Sequence, residues 1–201
     1  MKHFLRKFLT KRHQLTLGVM ATTLSILVSG SSLAYAPPDW ALGDFTKPSP
    51  QAVSAPAPLG FQIFCMQNSL ECKTSSVGET DYTFRFMRKL NAVNRNVNAA
   101  IVPKNDVGVD KWTLNASIGD CEDYVLSKRS LLVKAGIAAG ALRIATATTS
   151  RGEGHAVLIV RTDRGEFVLD NRTNAIKLID KTDLTYHAIS GMNPKKWTKM
   201  V

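Results

Sequence analysis

Three residues in the second half of the chain are of the types that perform covalent acyl transfer: a cysteine, a histidine and an aspartate. Cys121 stands at the start of a predicted helix, whose apolar residues recur on one face until Gly136 provides a C-terminal stop. Asp120 suits the N-cap position, and the positive end of a helix lowers the pKa of a thiol and favours the reactive thiolate. Cys121 is therefore a candidate nucleophile, and the alternative is a buried structural cysteine on a core helix.

The other two residues fall in a segment that predicts a β-hairpin. The run GHAVLIVR is typical of a strand beginning with His155, TDRG is typical of a turn, and EFVLDN is typical of a strand ending in Asp170. In a tight antiparallel hairpin the start of one strand lies beside the end of the other, so His155 and Asp170 are predicted neighbours. Together with Cys121 they supply the nucleophile, base and orienting group of a cysteine triad.

These runs resemble a known family. Motifs of the bacterial transglutaminase-like cysteine proteinases are similar to two runs of this sequence, GDCEDYVLSKRSLL and GHAVLIVRTDRGEFVLDN. That family includes the periplasmic LapG-like adhesin-cleaving proteases. The resemblance extends from about residue 60 to 197 and assigns the family's catalytic residues to Cys121, His155 and Asp170. It implies a papain-like, transglutaminase-like fold.

The predicted elements are helices followed by an antiparallel meander, which is an α+β arrangement with N-terminal helices packed on one side of a sheet. The clearest helix covers residues 81–101, where apolar residues recur at steps of three and four and where Thr80 or Asp81 can act as the cap. The remaining patterns predict strands at 142–147 and 175–179, and mostly irregular chain at 59–72 and 185–197.

The N-terminal segment 1–36 is typical of a secretory signal peptide. It has a basic start, an apolar run over 15–28 and an Ala-Tyr-Ala cleavage pattern at its end, which predicts a periplasmic or secreted mature protein. The apolar run is short for a membrane span, and an uncleaved anchor is the alternative. Residues 37–58 hold six of the eight prolines and are predicted to be an extended or disordered lead-in, so the protease domain is predicted at 59–201.

Charge and cysteine content restrict the possible partners. The signal peptide carries five cations and no acid, so the formal charge of +10 falls to +5 in the mature chain. No basic run is interleaved with aromatic residues, which argues against nucleic acid as a partner. In an exported protein Cys65 and Cys72, separated by six residues, are predicted to form a disulfide and to leave Cys121 free, although two unpaired thiols are the alternative.

Three acids surround the candidate nucleophile and predict a cation. Asp120, Glu122 and Asp123 should raise the thiol pKa, which opposes what a nucleophile needs. A bound cation would offset their charge, and oxygen ligands in an exported protein favour calcium, with Asp106 or Asp110 completing the set. The resemblance to LapG-like proteases also implies calcium dependence through the acids that flank the cysteine. Simple helix capping with surface salt bridges is the alternative.

The function predicted from these patterns is an exported cysteine endopeptidase that cleaves a protein substrate through an acyl-enzyme. The resemblance implies a cell-surface adhesin as the substrate and an inner-membrane receptor as a partner. Two alternatives stay open. The same triad serves transglutaminase-type acyl transfer or deamidation, and a non-catalytic exported binding module could keep the fold.

We expect the mature protein to begin near Pro37 and to carry a Cys65–Cys72 disulfide, because the signal pattern and the cysteine spacing both point to export. Intact-mass spectrometry of the secreted or periplasmic protein, with and without reductant and alkylation, measures both features. An unprocessed N-terminus, or three alkylatable thiols before reduction, would contradict this expectation.

Overall fold

The computed structural model describes residues 53–200, and within that part of the chain three α-helices pack on a seven-stranded sheet. The predicted signal peptide and the lead-in up to residue 52 lie outside the described residues. In chain order the elements are β1 (Ser54–Ala55), α1 (Leu59–Gln67), α2 (Phe84–Ala100), β2 (Val102–Pro103), β3 (Ile118–Gly119), α3 (Cys121–Lys134), β4 (Leu142–Thr148), β5 (Gly154–Thr162), β6 (Gly165–Leu169), β7 (Lys177–Leu178), β8 (Thr185–Ser190) and β9 (Trp197–Lys199).

The large sheet has the strand order β1-β9-β8-β4-β5-β6-β7, and every neighbouring pair is antiparallel. Strands β2 and β3 form a separate parallel pair. Helix α3 packs against β5, and α2 packs against α3. Leu90 of α2, Leu132 of α3 and Leu158 of β5 are fully buried between these layers. The predicted α+β class, with helices on an antiparallel sheet, is confirmed.

Two segments predicted to be mostly irregular contain regular structure, so that prediction was wrong. Helix α1 covers Leu59–Gln67 and buries Phe61 against Trp112 and Trp197, with ring centroids 5.2 and 5.7 Å apart. The tail supplies strands β8 and β9, and the short β1 pairs with β9 from the end of the lead-in. These elements are too short to show periodicity, and contacts with distant parts of the chain stabilise them instead.

The start of α2 also differs from its prediction. The helix begins at Phe84, and its cap is Thr83, whose hydroxyl oxygen accepts a hydrogen bond from the N–H of Phe86 at 3.1 Å. Thr80 bridges to Thr162 at the end of β5, and the N–H of Tyr82 donates to Asp163 in the hairpin turn. Residues 80–82 therefore bind the hairpin and cannot form the first turn of the helix.

Helix α3 covers Cys121–Lys134 and ends as predicted, since Gly136 adopts a φ of 87° and donates its N–H to Val133. Asp120 holds the N-cap position, but its side chain makes no capping hydrogen bond. Unlike a surface helix, α3 is buried over most of its length, including several polar and charged side chains. Because other elements surround this helix, its charged residues must find partners inside the protein.

Two neighbouring cations of α3 are buried, and they differ in whether they have a partner among the described residues. Arg129 donates to the carbonyl of Glu71 at 2.8 Å and lies 3.6 Å from the Glu71 carboxylate. Lys128 is 0% exposed, and its ammonium nitrogen has no hydrogen-bond partner within the described residues. Burial lowers the pKa of Lys128 to about 7, and the negative charge of Asp170 only partly opposes this effect. Lys128 is therefore a destabilising group at neutral pH.

We expect Lys128→Met to raise the free energy of unfolding at pH 7. In the unfolded chain a lysine has a pKa of about 10.4. Between pH 7 and 10 the unfolded wild type therefore binds more protons than the folded protein, and its free energy of unfolding rises with pH across that window. The variant should lack this rise. Urea unfolding from pH 7 to 10 measures the difference, with the exposed Lys134→Met as control. An equal slope in wild type and Lys128→Met would show that Lys128 titrates normally.

Candidate active site

The start of α3 is held in place by the loop before it. Thr113 donates its N–H to the Asp123 carboxylate at 2.7 Å, which fastens the loop to the first turn of the helix. Gly119 ends β3 directly before this turn, and a Cβ at that position would overlap the Asp123 carboxylate. The Asp123 carboxylate can therefore approach the backbone this closely only if residue 119 is glycine. This close approach helps to place the first turn of α3, which begins at Cys121.

Cys121 carries a half-buried free thiol. Its sulfur donates to the Glu122 carboxylate at 2.9 Å. Burial, followed by the negative charge of Glu122 and its hydrogen bond, raises the pKa of this thiol far above its ordinary value, and the N–H of Ala156 opposes them only in part. Burial and the neighbouring acids therefore raise the thiol pKa, opposite to the lowering expected from the helix start.

His155 and Asp170 are in contact at the end of the β5–β6 hairpin. The Nε2 atom of His155 lies 3.0 Å from Oδ1 of Asp170, and both side chains are less than one tenth exposed. The last residue pair of the hairpin before this site is Leu158 with Leu169. The contact between His155 and Asp170 lies just beyond that pair and runs diagonally between the two segments. Because Nε2 faces the aspartate, Nδ1 is the ring nitrogen left to exchange a proton with a substrate or a thiol.

Asp170 is buried but stays ionised. Burial alone would raise its pKa, but hydrogen bonds from His155 and Arg172 outweigh that effect and hold the pKa well below its usual range. Arg172 donates to the Asp170 carboxylate from its backbone N–H and from Nε and Nη2 of its side chain. An ionised aspartate at this position can orient the imidazole and stabilise its protonated form.

A cleft of about 700 Å³ joins these elements. Cys121 and His155 both line it, and Asp170 lies behind His155. The walls of the cleft come from the loop before α3, the β4–β5 turn and the loop after β6, and include Lys104, Asp110, Trp112, Thr149, Glu153 and Arg172. The cleft is open to solvent and combines a thiol, an imidazole and charged walls, so it can accept a polar chain such as a peptide.

The three acids predicted as metal ligands are not brought together as one group. Asp120 accepts from the N–H of Asp106 through Oδ2, while its buried Oδ1 has no hydrogen-bond partner among residues 53–200. Burial, together with a hydrogen bond to Asp110, raises the pKa of Glu122 to about 9. Asp123 faces Thr113 instead. Among residues 53–200 no cluster of three or more His, Cys, Asp or Glu side chains has the arrangement of a metal site.

Sequence reasoning missed several side chains that position Asp170. Asn98 donates to the carbonyl of Asp170, and both Asn98 and Asn94 donate to the carbonyl of Thr173. Helical spacing puts Asn94 and Asn98 on the face of α2 that carries the buried Leu90, which is a signal that could have found them. Arg172 lies two residues after Asp170, but nothing in its sequence context indicates the contact.

Comparison with known proteins identifies relatives of this fold. A family model described as bacterial transglutaminase-like cysteine proteinase BTLCP matches residues 51–201. Among curated proteins no sequence matches. A structure of Legionella pneumophila LapG is similar at 24% identity over 56% of this chain and 68% of that chain, with a TM-score of 0.50. An EGTA-treated LapG structure gives 23% identity over 58% and 68%, with a TM-score of 0.50.

A calcium-bound structure of Legionella pneumophila LapG matches at 23% identity, with a TM-score of 0.48 over 52% of this chain. The match covers 64% of that chain, so this protein spans under two thirds of its length. At their identities of 24% and 23%, the two LapG structures with a TM-score of 0.50 show a shared fold. The predicted enzyme class, cysteine protease, is the class of the matched family. Since the family model covers about three quarters of the sequence, the chain belongs to the bacterial transglutaminase-like cysteine proteinases.

Proposed function

We propose that the chain is a cysteine endopeptidase in which Cys121 is the nucleophile, His155 the general base and acid, and Asp170 the orienting group. The observation that carries this proposal is the 3.0 Å contact between His155 Nε2 and Asp170 in the wall of the cleft that also contains Cys121. Membership of a cysteine proteinase family supports the same reaction class.

The reaction follows from these groups. His155 accepts the thiol proton at Nδ1, while Asp170 stabilises the resulting imidazolium through Nε2. The Cys121 thiolate attacks the peptide carbonyl, and the N–H of Cys121 at the helix start is one donor for the oxyanion. His155 then protonates the leaving amine. Water activated by His155 finally attacks the thioester and releases the acid product.

We further propose that calcium binds beside the nucleophile. The chemistry of the local groups fits a hard cation, since Asp120 has a buried oxygen without a partner in the described part of the chain, and Glu122 and Asp110 add further oxygens. When bound, such an ion would offset the acids that now raise the thiol pKa. Asp123 is occupied by Thr113 and is the weaker ligand. One related structure is described as calcium-bound LapG.

The substrate and setting are also proposals. The N-terminal signal pattern and the disulfide between Cys65 in α1 and Cys72 after it favour a periplasmic or secreted enzyme. Likeness to LapG-like proteases favours a cell-surface adhesin as the substrate and an inner-membrane receptor as a partner. Comparing new N-termini of surface proteins in cells expressing wild type or Cys121→Ala tests this setting. An unchanged set of N-termini would argue against a surface substrate.

We expect Cys121→Ala, His155→Ala and Asp170→Ala each to lower turnover by at least roughly a thousandfold, as removal of triad members does elsewhere. Asp170→Asn should also be severe, because it cannot stabilise the imidazolium. The assay is peptide-bond cleavage of the protein identified by N-terminal proteomics, with circular dichroism to verify folding. His187→Ala, outside the cleft, is the control.

The triad assay also separates the alternative functions. A product with a new carboxylate supports hydrolysis, whereas incorporation of a primary amine supports transglutaminase-type transfer by the same residues. Near-normal cleavage by any folded alanine variant would overturn the triad assignment. A Cys121 thiol that, with calcium present, iodoacetamide labels no faster than free cysteine, together with no turnover, would favour a binding module.

We expect calcium to bind in calorimetry at micromolar to millimolar concentrations and to raise the melting temperature, which EGTA should reverse. Asp120→Asn should weaken binding at least about tenfold, because it removes a charged ligand. The exposed Asp81→Asn is the matched control. Calcium should also shift the pH dependence of Cys121 alkylation to lower pH, because the cation offsets the acids. No heat of binding and no effect of EGTA would show that the acids only hold the loop against the helix start.

A further inference from the structure

Arg172 provides most of the hydrogen bonds to the Asp170 carboxylate. Oδ1 of Asp170 contacts His155 Nε2 at 3.0 Å and the Arg172 N–H at 2.9 Å. Oδ2 of Asp170 accepts from Nε and Nη2 of Arg172 at 3.0 and 2.8 Å. Nε and Nη2 thus converge on one oxygen, Oδ2, while the Arg172 N–H contacts the other, Oδ1, so Arg172 contacts both oxygens of the carboxylate, and a lysine would offer Oδ2 only a point charge. Arg172 thereby determines which way Oδ1 points.

The guanidinium is itself held from its outer side. Nη1 and Nη2 of Arg172 donate to the two carboxylate oxygens of Asp183 at 3.0 and 2.8 Å. Asp183 lies between the short helix Ile179–Lys181 and β8. All the side-chain nitrogens of Arg172 are therefore engaged by carboxylates, so this cation is not free to bind a substrate although it lines the cleft.

We propose that Arg172, held by Asp183, is a positioning residue that fixes the Asp170 carboxylate and through it the ring of His155. The contacts form a continuous chain from His155 to Asp170, Arg172 and Asp183. Asp183 is about half exposed and Asp170 is 6% exposed, so the inner pair should matter more than the outer pair. This proposal rests on the proposed protease function, which gives the ring its role.

The test compares four variants by NMR of the His155 ring and by turnover. Arg172→Ala removes the guanidinium, Arg172→Lys keeps only a point charge, and Asp183→Asn weakens the outer support. Arg161→Met is the matched control, since Arg161 forms a 2.9 Å ion pair with Glu166 on the same hairpin away from the cleft. The folded state of each variant is verified by its melting curve.

In wild type we expect a slowly exchanging Nε2–H proton signal from His155, because that proton is held by Asp170. Arg172→Ala should broaden or remove the signal and lower turnover about a hundredfold, the scale of a misplaced catalytic group. Arg172→Lys should recover little of either, and Asp183→Asn should have a smaller effect than Arg172→Ala. Millimolar guanidinium chloride should restore part of the signal and of the turnover in Arg172→Ala, and Arg161→Met should leave both unchanged.

The two readouts separate this proposal from the protease function. An unchanged Nε2–H signal in folded Arg172→Ala would overturn the positioning role, even if cleavage by wild type is demonstrated. A lost signal that guanidinium restores would support the role, even if Cys121→Ala showed that the chain is not a protease. If Arg172→Ala does not fold, the signals of Arg172→Lys and Asp183→Asn decide, and wild-type signals in both would overturn the proposal.

Discussion

Helix α3 packs on strand β5, and this contact sets the distance between the cysteine at the helix start and the histidine at the strand start. A hydrogen bond from the N–H of Ala156, next to His155, lowers the pKa of the Cys121 thiol, so the two elements meet near their starts. Most of α3 is buried to make this approach. The buried Lys128 and Arg129 follow from that burial, since a helix enclosed on most sides has little surface on which to place cations.

The charges of the site are divided between two sides. One side, formed by the loop before α3 and the start of that helix, carries Asp110, Asp120 and Glu122. On the other side, beyond the hairpin, Asp170 is paired with Arg172. Burial, together with Glu122 and Asp120, raises the pKa of the thiol, whereas hydrogen bonds from His155 and Arg172 keep the aspartate ionised. A cation bound beside the thiol would give the acidic side a counter-charge, as Arg172 already does for Asp170 on the other side.

The loop after β6 connects the site with the rest of the fold. Asn94 and Asn98 of α2 donate to the backbone of this loop, and Asp183 before β8 holds Arg172. Asp170 is thus held by two segments, helix α2 before it in the sequence and the chain leading into β8 after it. This arrangement lets a short hairpin carry a buried ionised aspartate, whose burial would otherwise favour the neutral form.

The sequence alone determined the helix that begins at Cys121, the hairpin that joins His155 to Asp170, and the α+β class, because these features depend on local periodicity, turn residues and the order of elements. Only the tertiary structure decided α1, β8 and β9, the environment of the thiol and the partners of Arg172. Those contacts join residues far apart in the chain, such as Thr80 with Thr162 and Asn98 with Thr173. Pairings of this kind depend on how the layers pack, which a pattern along the chain does not record.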